Sequence, residues 1–255
     1  MDNNILIQDK NKQKTDQPVG AQPEVTRPEV VQLKVVQLEV VQPKVVQPVF
    51  VQPAVADKKY TNIIFDLGAV LFYFNPHEIL YDLFDLTKEQ SKAIIKNISS
   101  STWMDMDRGI ITPEQVAEKL ADPFGKENML KFLYAMPERL IPLSQGVEIL
   151  KLVRQKGYKT YILSNLAEFC YLKVKDYDFV KQFDGAIYSY QHKCAKPEEQ
   201  IYRVLLETYS LKAEECLFID DLEVNINGSK ALGIDGIICK DHNYVLDQLK
   251  LLNVI

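Results

Sequence analysis

The sequence has no Cys-x-x-Cys pair, no dense block of lysine and arginine, and no apolar run long enough to span a bilayer. Each absence removes a class of function. The four cysteines, Cys170, Cys194, Cys216 and Cys239, are widely spaced and mostly lie in or beside apolar runs, so they read as reduced core or near-core thiols rather than a disulfide framework or a zinc site. A net charge of -5 without a basic cluster argues against general nucleic-acid binding, while a local basic pocket for a small anion stays open. The opening Met1-Asp2-Asn3-Asn4-Ile5-Leu6 has no basic start followed by a long apolar segment. The expectation is a soluble, cytoplasmic protein with neither a nucleic-acid nor a membrane partner. Its 255 residues suffice for one large domain or two modest ones.

Residues 1–56 differ in kind from the rest. From Glu29 a five-residue unit recurs, as in Glu29-Val30-Val31-Gln32-Leu33 and Lys44-Val45-Val46-Gln47-Pro48. Such a unit is too short for a solenoid repeat. A period of five turns about 140° per unit on a helix and changes face each time on a strand, so neither element acquires a steady apolar stripe. Prolines at 23, 28, 43, 48 and 53 remove donors and favour extended backbone. A disordered low-complexity tail is expected, read first as a repeat-expanded linker with no task of its own and second as a tether whose valine-rich stretch contacts an unknown protein.

From Lys58 the composition becomes globular. Ile63-Ile64-Phe65 carries the chain into Asp66, with Gly68 two positions on, as a buried strand does when it delivers an acid to its C-terminal end. The segment 75–142 reads as an inserted helical module, since about seventy residues exceed what one crossover needs. Helices are expected over His77 to Leu86, Lys88 to Asn97, Thr112 to Leu120 and Lys126 to Met136; Thr112-Pro113-Glu114-Gln115 supplies an N-cap, a first-turn proline and an acidic first turn. Trp103 and Arg108 are expected in the core and on the surface of this module. Asp105 and Asp107 have a metal-like spacing without the full calcium-loop pattern.

After Pro142 strand and helix alternate. Strands are expected at Tyr158 to Leu163, Gly185 to Ser189, Cys216 to Ile219 and Gly236 to Cys239. Helices are expected at Ser144 to Lys156, Leu166 to about Lys181, Lys196 to about Tyr209 and Val224 to Leu232. This pattern means a doubly wound α/β fold, a parallel sheet with helices on both faces. The core is then 57–74 with 143–255. Asp66, Ser164-Asn165, Lys196 and Asp220-Asp221 all fall at strand ends or helix starts, and ends of parallel strands converge on one rim. Carboxylates gathered there repel unless a cation sits among them, and an all-oxygen set suits Mg²⁺. Ser164, Asn165 and Lys196 would supply donors and positive charge for an anion beside it.

Four motifs in this order, Ile63-Ile64-Phe65-Asp66-Leu67-Gly68-Ala69-Val70, Ile162-Leu163-Ser164-Asn165, Lys196-Pro197 and Phe218-Ile219-Asp220-Asp221, make the chain resemble the haloacid dehalogenase superfamily over about Tyr60 to Cys239. Within it the motifs resemble the branch that holds alpha-D-glucose-1-phosphate phosphatase and the phosphatase domain of soluble epoxide hydrolase. The resemblance implies a Rossmann-like core with a helical cap. It makes Asp66 the nucleophile, with Ser164 and Asn165 on phosphoryl oxygens and Lys196 orienting Asp66 and neutralising charge. Asp66, the Gly68 carbonyl, Asp220 and Asp221 would hold Mg²⁺; whether Asp220 binds it directly or through water stays open. The implied activity is Mg²⁺-dependent hydrolysis of a small phosphorylated substrate, with a sugar phosphate expected.

One position departs from the pattern. Most phosphatases of the superfamily carry a second aspartate two residues after the nucleophile, where it protonates the leaving oxygen; here that position is Gly68. A positioned acid is worth about 10² to 10⁴ in rate. Three residues are candidate substitutes, His77, Asp107 and His192. Alternatives are a dehalogenase, whose halide needs no acid but which has no use for Asp220-Asp221, a phosphomutase, and a non-catalytic binding module.

Overall fold

The computed structural model describes residues 58–98, 101–122 and 124–255; the repeat tail expected over 1–56 lies outside them. In chain order the elements are β1 (Asn62–Phe65), β2 (Phe72–Tyr73), α1 (Pro76–Phe84), α2 (Lys88–Ile98), α3 (Ser101–Asp107), α4 (Pro113–Lys119), α5 (Lys126–Ala135), β3 (Ile141–Pro142), α6 (Ser144–Gln155), β4 (Lys159–Ser164), α7 (Glu168–Val174), β5 (Gly185–Tyr188), α8 (Ser189–His192), α9 (Glu199–Thr208), β6 (Cys216–Asp220), α10 (Glu223–Lys230), β7 (Asp235–Ile238) and α11 (His242–Leu251).

Among the described residues β5, β4, β1, β6 and β7 pair in that order, every neighbour parallel. The central strand explains why. All four residues of β1 are buried, and side chains on a strand alternate between faces. Ile63 and Phe65 pack into one apolar cluster, which takes in α6 through Ile149, Leu150 and Val153 and α11 through Val245 and Leu249. Ile64 enters a second cluster on the other face, with Ile201, Tyr202 and Leu205 of α9 and Ile226 of α10. A strand apolar on both faces belongs between two layers of helix. Each large apolar side chain so buried stabilises the fold by about 1.5–3 kcal/mol.

The order places β1 where the winding reverses. The chain goes from β1 to β4 and β5 on one side, then crosses to β6 and β7 on the other, and the crevice beyond the carboxyl ends of such strands is where ligands bind. Helices α1 to α5 lie between β1 and β4 in sequence. They leave and return through the antiparallel pair β2 and β3, with Tyr73 opposite Ile141. Thr112 caps α4 through a reciprocal capping box with Gln115, as the motif predicts.

Several boundaries differ from those expected, each for a local reason. The stretch from Leu166 to Lys181 holds only the seven residues of α7 and a later 3₁₀ turn, because Tyr177 packs edge-on and Phe179 tilted against Phe72, with ring centres 5.2 and 5.3 Å away. Helix α9 begins at Glu199 rather than at Lys196, whose N–H and carbonyl are both bonded by the Asn165 side chain. Helices α3, α8 and α11 and the short strands β2 and β3 were not expected. Helix α11 has a clear start, with the Asp241 carboxylate accepting from the Tyr244 N–H at 2.8 Å. No helix among the described residues is long and apolar enough to cross a membrane. The four cysteines are free and buried.

Candidate active site

Two strand ends supply the three acids. Asp66 follows β1 and its backbone N–H donates to the Ile219 carbonyl of β6 at 2.9 Å, so the ladder itself holds its Cα at the rim. Asp220 ends β6 and Asp221 follows it. Carboxylate oxygens of Asp66, Asp220 and Asp221 lie within 4.8 Å of one another. Six ligands at about 2 Å from an ion span about 4 Å edge to edge, so the separation and the all-oxygen donors suit a small hard cation.

Lys196 links two of them. Its side chain is 1% exposed, and Nζ lies 2.9 Å from Asp66 Oδ1 and 2.6 Å from Asp220 Oδ2. Burial works against its charge, yet the two carboxylates outweigh burial and hold its pKa above the ordinary lysine value. One ammonium among three acids leaves two negative charges uncompensated. Desolvation therefore pushes the Asp66 carboxyl up to about 7 against the pull of Lys196, with Asp220 and Asp221 adding to the rise. Burial and the Asp220 charge raise Asp221 as well.

The two late aspartates are not equivalent. Asp220 Oδ1 accepts from the Leu222 N–H at 2.8 Å and from Asn225 Nδ2 at 3.0 Å. Its Oδ2 accepts from Lys196 and from Asn225 at 2.6 and 3.1 Å. Asp220 is thus a saturated acceptor that fixes Lys196, whereas Asp221 receives only a backbone hydrogen bond of its own and has lone pairs free for an ion. At Asp66 the Leu67 N–H donates to Oδ1 at 2.7 Å. With Lys196 on the same atom, Oδ2 is left for attack.

A cavity of about 170 Å³ opens on this cluster, lined by Asp66, Gly68, Ser164 and Asn165 and closed by residues of the helical segment. Ser164 ends β4 and is buried. Asn165 is placed differently from its expected role. Its Oδ1 accepts from the Lys196 N–H at 2.8 Å and its Nδ2 donates to the Lys196 carbonyl at 2.9 Å. The side chain is spent on latching the Lys196 turn to β4, and only the backbone N–H remains for a phosphoryl oxygen.

Of the candidate substitutes for the acid absent at Gly68, His77 bonds Ser91 at 2.8 Å within the helical segment, and neither it nor His192 lines the cavity. Asp107 does. Trp103, expected only as core, lines the cavity as well and hydrogen-bonds the Asp107 carboxyl. Despite their metal-like spacing, Asp105 and Asp107 do different things, since Asp105 pairs with Arg108 at 3.2 Å and does not line the cavity. Ser189 was missed by sequence reasoning: fully buried, it accepts from the Leu166 N–H at 2.9 Å and donates to the Asp107 carbonyl. A serine directly after a strand carries no signal that separates this from a helix start.

The raised carboxyls fix how stability depends on pH. Asp66 and Asp107 both go from an ordinary 3.8 to about 7, so between about pH 4 and 7 the folded chain holds protons that the unfolded chain has lost. Their contribution to stability is full below pH 4 and falls as pH rises through 7. In chelator, Tm is expected to drop between pH 5 and 8 on the order of 5 °C more for the wild type than for Asp66→Asn. Added Mg²⁺ is expected to raise the wild-type Tm more at pH 8 than at pH 5, because it binds the charged form. Equal slopes in scanning calorimetry would refute this.

Comparison with known proteins gives a consistent neighbourhood. The model of the haloacid dehalogenase-like hydrolase family matches residues 60–233. A sesquiterpene phosphatase of Aspergillus oryzae is 27% identical over 193 residues, covering 74% of this chain and 94% of that protein. A D-ribitol-5-phosphate phosphatase of Bacteroides thetaiotaomicron is 22% identical over 186 residues, covering 68% of this chain and 89% of that protein. A solved HAD family enzyme of Bacteroides thetaiotaomicron, in complex with magnesium and inorganic phosphate, shares the fold with a TM-score of 0.57 at 22% identity, over 73% of this chain and 98% of that one.

Proposed function

The chain belongs to the haloacid dehalogenase-like hydrolase family, and from that premise we propose that it is a magnesium-dependent phosphatase acting on a small phosphate monoester through an aspartyl-phosphate. What carries the proposal is the cluster in which Lys196 joins Asp66 to Asp220, with Asp221 close by. A dehalogenase displaces halide at carbon and gains nothing from extra carboxylates, which repel both its nucleophile and a carboxylate substrate. A phosphatase needs them to hold a cation.

In this assignment Asp66 Oδ2 attacks phosphorus and the ester oxygen leaves. Lys196 keeps Asp66 oriented through Oδ1 and faces the charge that builds during transfer. The Ser164 hydroxyl and the Asn165 backbone N–H bind phosphoryl oxygens. Asp66, Asp221 and the Gly68 carbonyl would hold Mg²⁺, with Asp220 fixing Lys196; when bound, the ion supplies positive charge to the phosphoryl group and offsets the excess of carboxylates.

Away from that end the walls are apolar, formed by Phe72, Phe74, Trp103, Met136, Leu140 and Val174. A sugar's hydroxyls placed there would lose their water partners without replacement. The lining therefore favours a compact apolar ester, such as a short alkyl or prenyl phosphate. The relative named for D-ribitol-5-phosphate supports sugar or polyol phosphates as a second reading.

A panel of alkyl, prenyl and sugar phosphates, assayed for phosphate release with Mg²⁺ and with chelator, decides. Mg²⁺-dependent release highest on apolar esters is expected. Higher activity on sugar phosphates would overturn the substrate class alone, and no release from any ester, with chloride freed from 2-chloropropionate in chelator, would overturn the reaction.

A further inference from the structure

We propose that Asp107, carried by the helical segment, is the general acid and base of this site, in place of the side chain that Gly68 lacks; the assignment rests on the phosphatase reading above. Gly68 lines the cavity, and a Cβ built there meets nothing within 4 Å. The space beside the nucleophile is therefore open, and Asp107 is the acid that the helical segment contributes to the same cavity.

The end of α3 is fastened to the core at three points. The Ser189 hydroxyl donates to the Asp107 carbonyl, Arg108 pairs with Glu198, and Lys193 Nζ donates to the Gly109 carbonyl at 2.6 Å. Gly109 permits that approach. It has φ +63, and a Cβ there would stand 2.9 Å from both Lys193 Nζ and the Tyr190 carbonyl oxygen. A side chain held by its own backbone in this way is preorganised for proton transfer. The Trp103 hydrogen bond fixes the carboxyl on the other side; Asp107 is half-buried, and loss of water around the carboxyl in the cavity pushes it up to about 7, against Trp103, Arg108 and Lys196, with Asp66 opposing them. An acid near neutrality is the kind that both gives and takes a proton efficiently.

The steps balance. As the Asp66 carboxylate forms its bond to phosphorus and the phosphorus–ester oxygen bond breaks, the Asp107 proton passes to the departing oxygen, which leaves as the alcohol. The Asp107 carboxylate then takes a proton from a water molecule attacking the aspartyl-phosphate. Inorganic phosphate leaves, Asp66 is freed, and Asp107 is protonated again.

A leaving-group series tests this, running from p-nitrophenyl phosphate, whose phenolate needs little protonation, to simple alkyl phosphates, whose alkoxides need it most. With Asp107→Asn, kcat/KM on alkyl esters is expected to fall about 10² to 10⁴-fold, with a far smaller loss on the aryl ester, so that rate depends more steeply on leaving-group pKa. Asp107→Ser is expected to give the same steeper slope with a smaller side chain. Parallel losses along the series in both variants, or no loss, would overturn the assignment while leaving the phosphatase standing. A wild type inactive on every ester would instead remove the phosphatase reading, and this assignment with it.

Discussion

Asp66→Asn is expected to lower kcat on any phosphate ester by about 10⁴-fold or more, the scale seen when a covalent nucleophile is removed from an otherwise intact site. The substitution is nearly isosteric. The amide oxygen still accepts from the Leu67 N–H, now 2.7 Å from Asp66 Oδ1, and Lys196 keeps its shorter bond to Asp220 at 2.6 Å. An amide is not a nucleophile at phosphorus, and it removes one anionic ligand from the group that would hold the cation. Loss of folding is the rival explanation, and it predicts the opposite change in stability. Burial already disfavours the charged form of Asp66, so a neutral side chain relieves that cost. The variant's Tm in chelator at pH 8 is expected to match or exceed the wild type's. A variant that keeps a tenth of wild-type activity would exclude an aspartyl-phosphate at this position.

The sheet was legible because its strands are short apolar runs ending in polar residues. Ile63-Ile64-Phe65 fills both faces of the sheet, and such a run has one place in a layered α/β fold. The same feature marked the rim, since Asp66, Ser164 and Asp220 each terminate an apolar run, and parallel pairing brings those termini together. Helices were less legible where tertiary contacts set their ends. Leu166 to Lys181 has helical composition, but the rings of Tyr177 and Phe179 are worth more against Phe72 than as further turns of α7. Trp103 to Gly109 hid its role because a seven-residue helix has no room for a periodic stripe, and its position depends on Ser189, Lys193 and Glu198, about ninety residues away.

Roles within the site were harder to read than membership of it. Asn165 belongs to the cluster, but a sequence does not reveal whether an amide faces a ligand or the backbone of Lys196. Asp220 and Asp221 look alike in the chain, yet Asn225, five residues after Asp220 and one helical turn into α10, saturates only Asp220. That spacing was readable in principle, since an Asn at the first turn of a helix after a strand end can reach back to the strand's last residue. Asp107 is one of three candidate acids in the chain and has the same spacing signal as Asp105, so its sequence does not single it out. What separates the two is that Asp105 meets Arg108 toward solvent and Asp107 meets the cavity, and that is settled by how α3 packs.

Lys196→Ala is expected to reduce stability by about 3–5 kcal/mol, the cost of removing one partner from a buried ion cluster. The ammonium is the protein's own cation among Asp66, Asp220 and Asp221, and its removal leaves buried carboxylates facing one another without it. Protonation is the chain's remaining way to lower that repulsion. The destabilisation is therefore expected to be largest at pH 8 and to shrink as pH falls and the carboxyls take up protons, a direction opposite to acid denaturation of surface ion pairs. Mg²⁺ offers a second remedy, and the shift in Tm on adding it at pH 8 should be greater in the variant than in the wild type if ion and lysine share the same carboxylates. Activity is expected to fall as well, because Asp66 loses the group that orients it and the transferring phosphoryl loses a positive neighbour. A purely catalytic lysine would cost rate without moving Tm. A purely structural one would leave kcat near the wild-type value once Mg²⁺ had restored the fold, so calorimetry and kinetics on one variant separate three roles for the residue that joins β1 to β6.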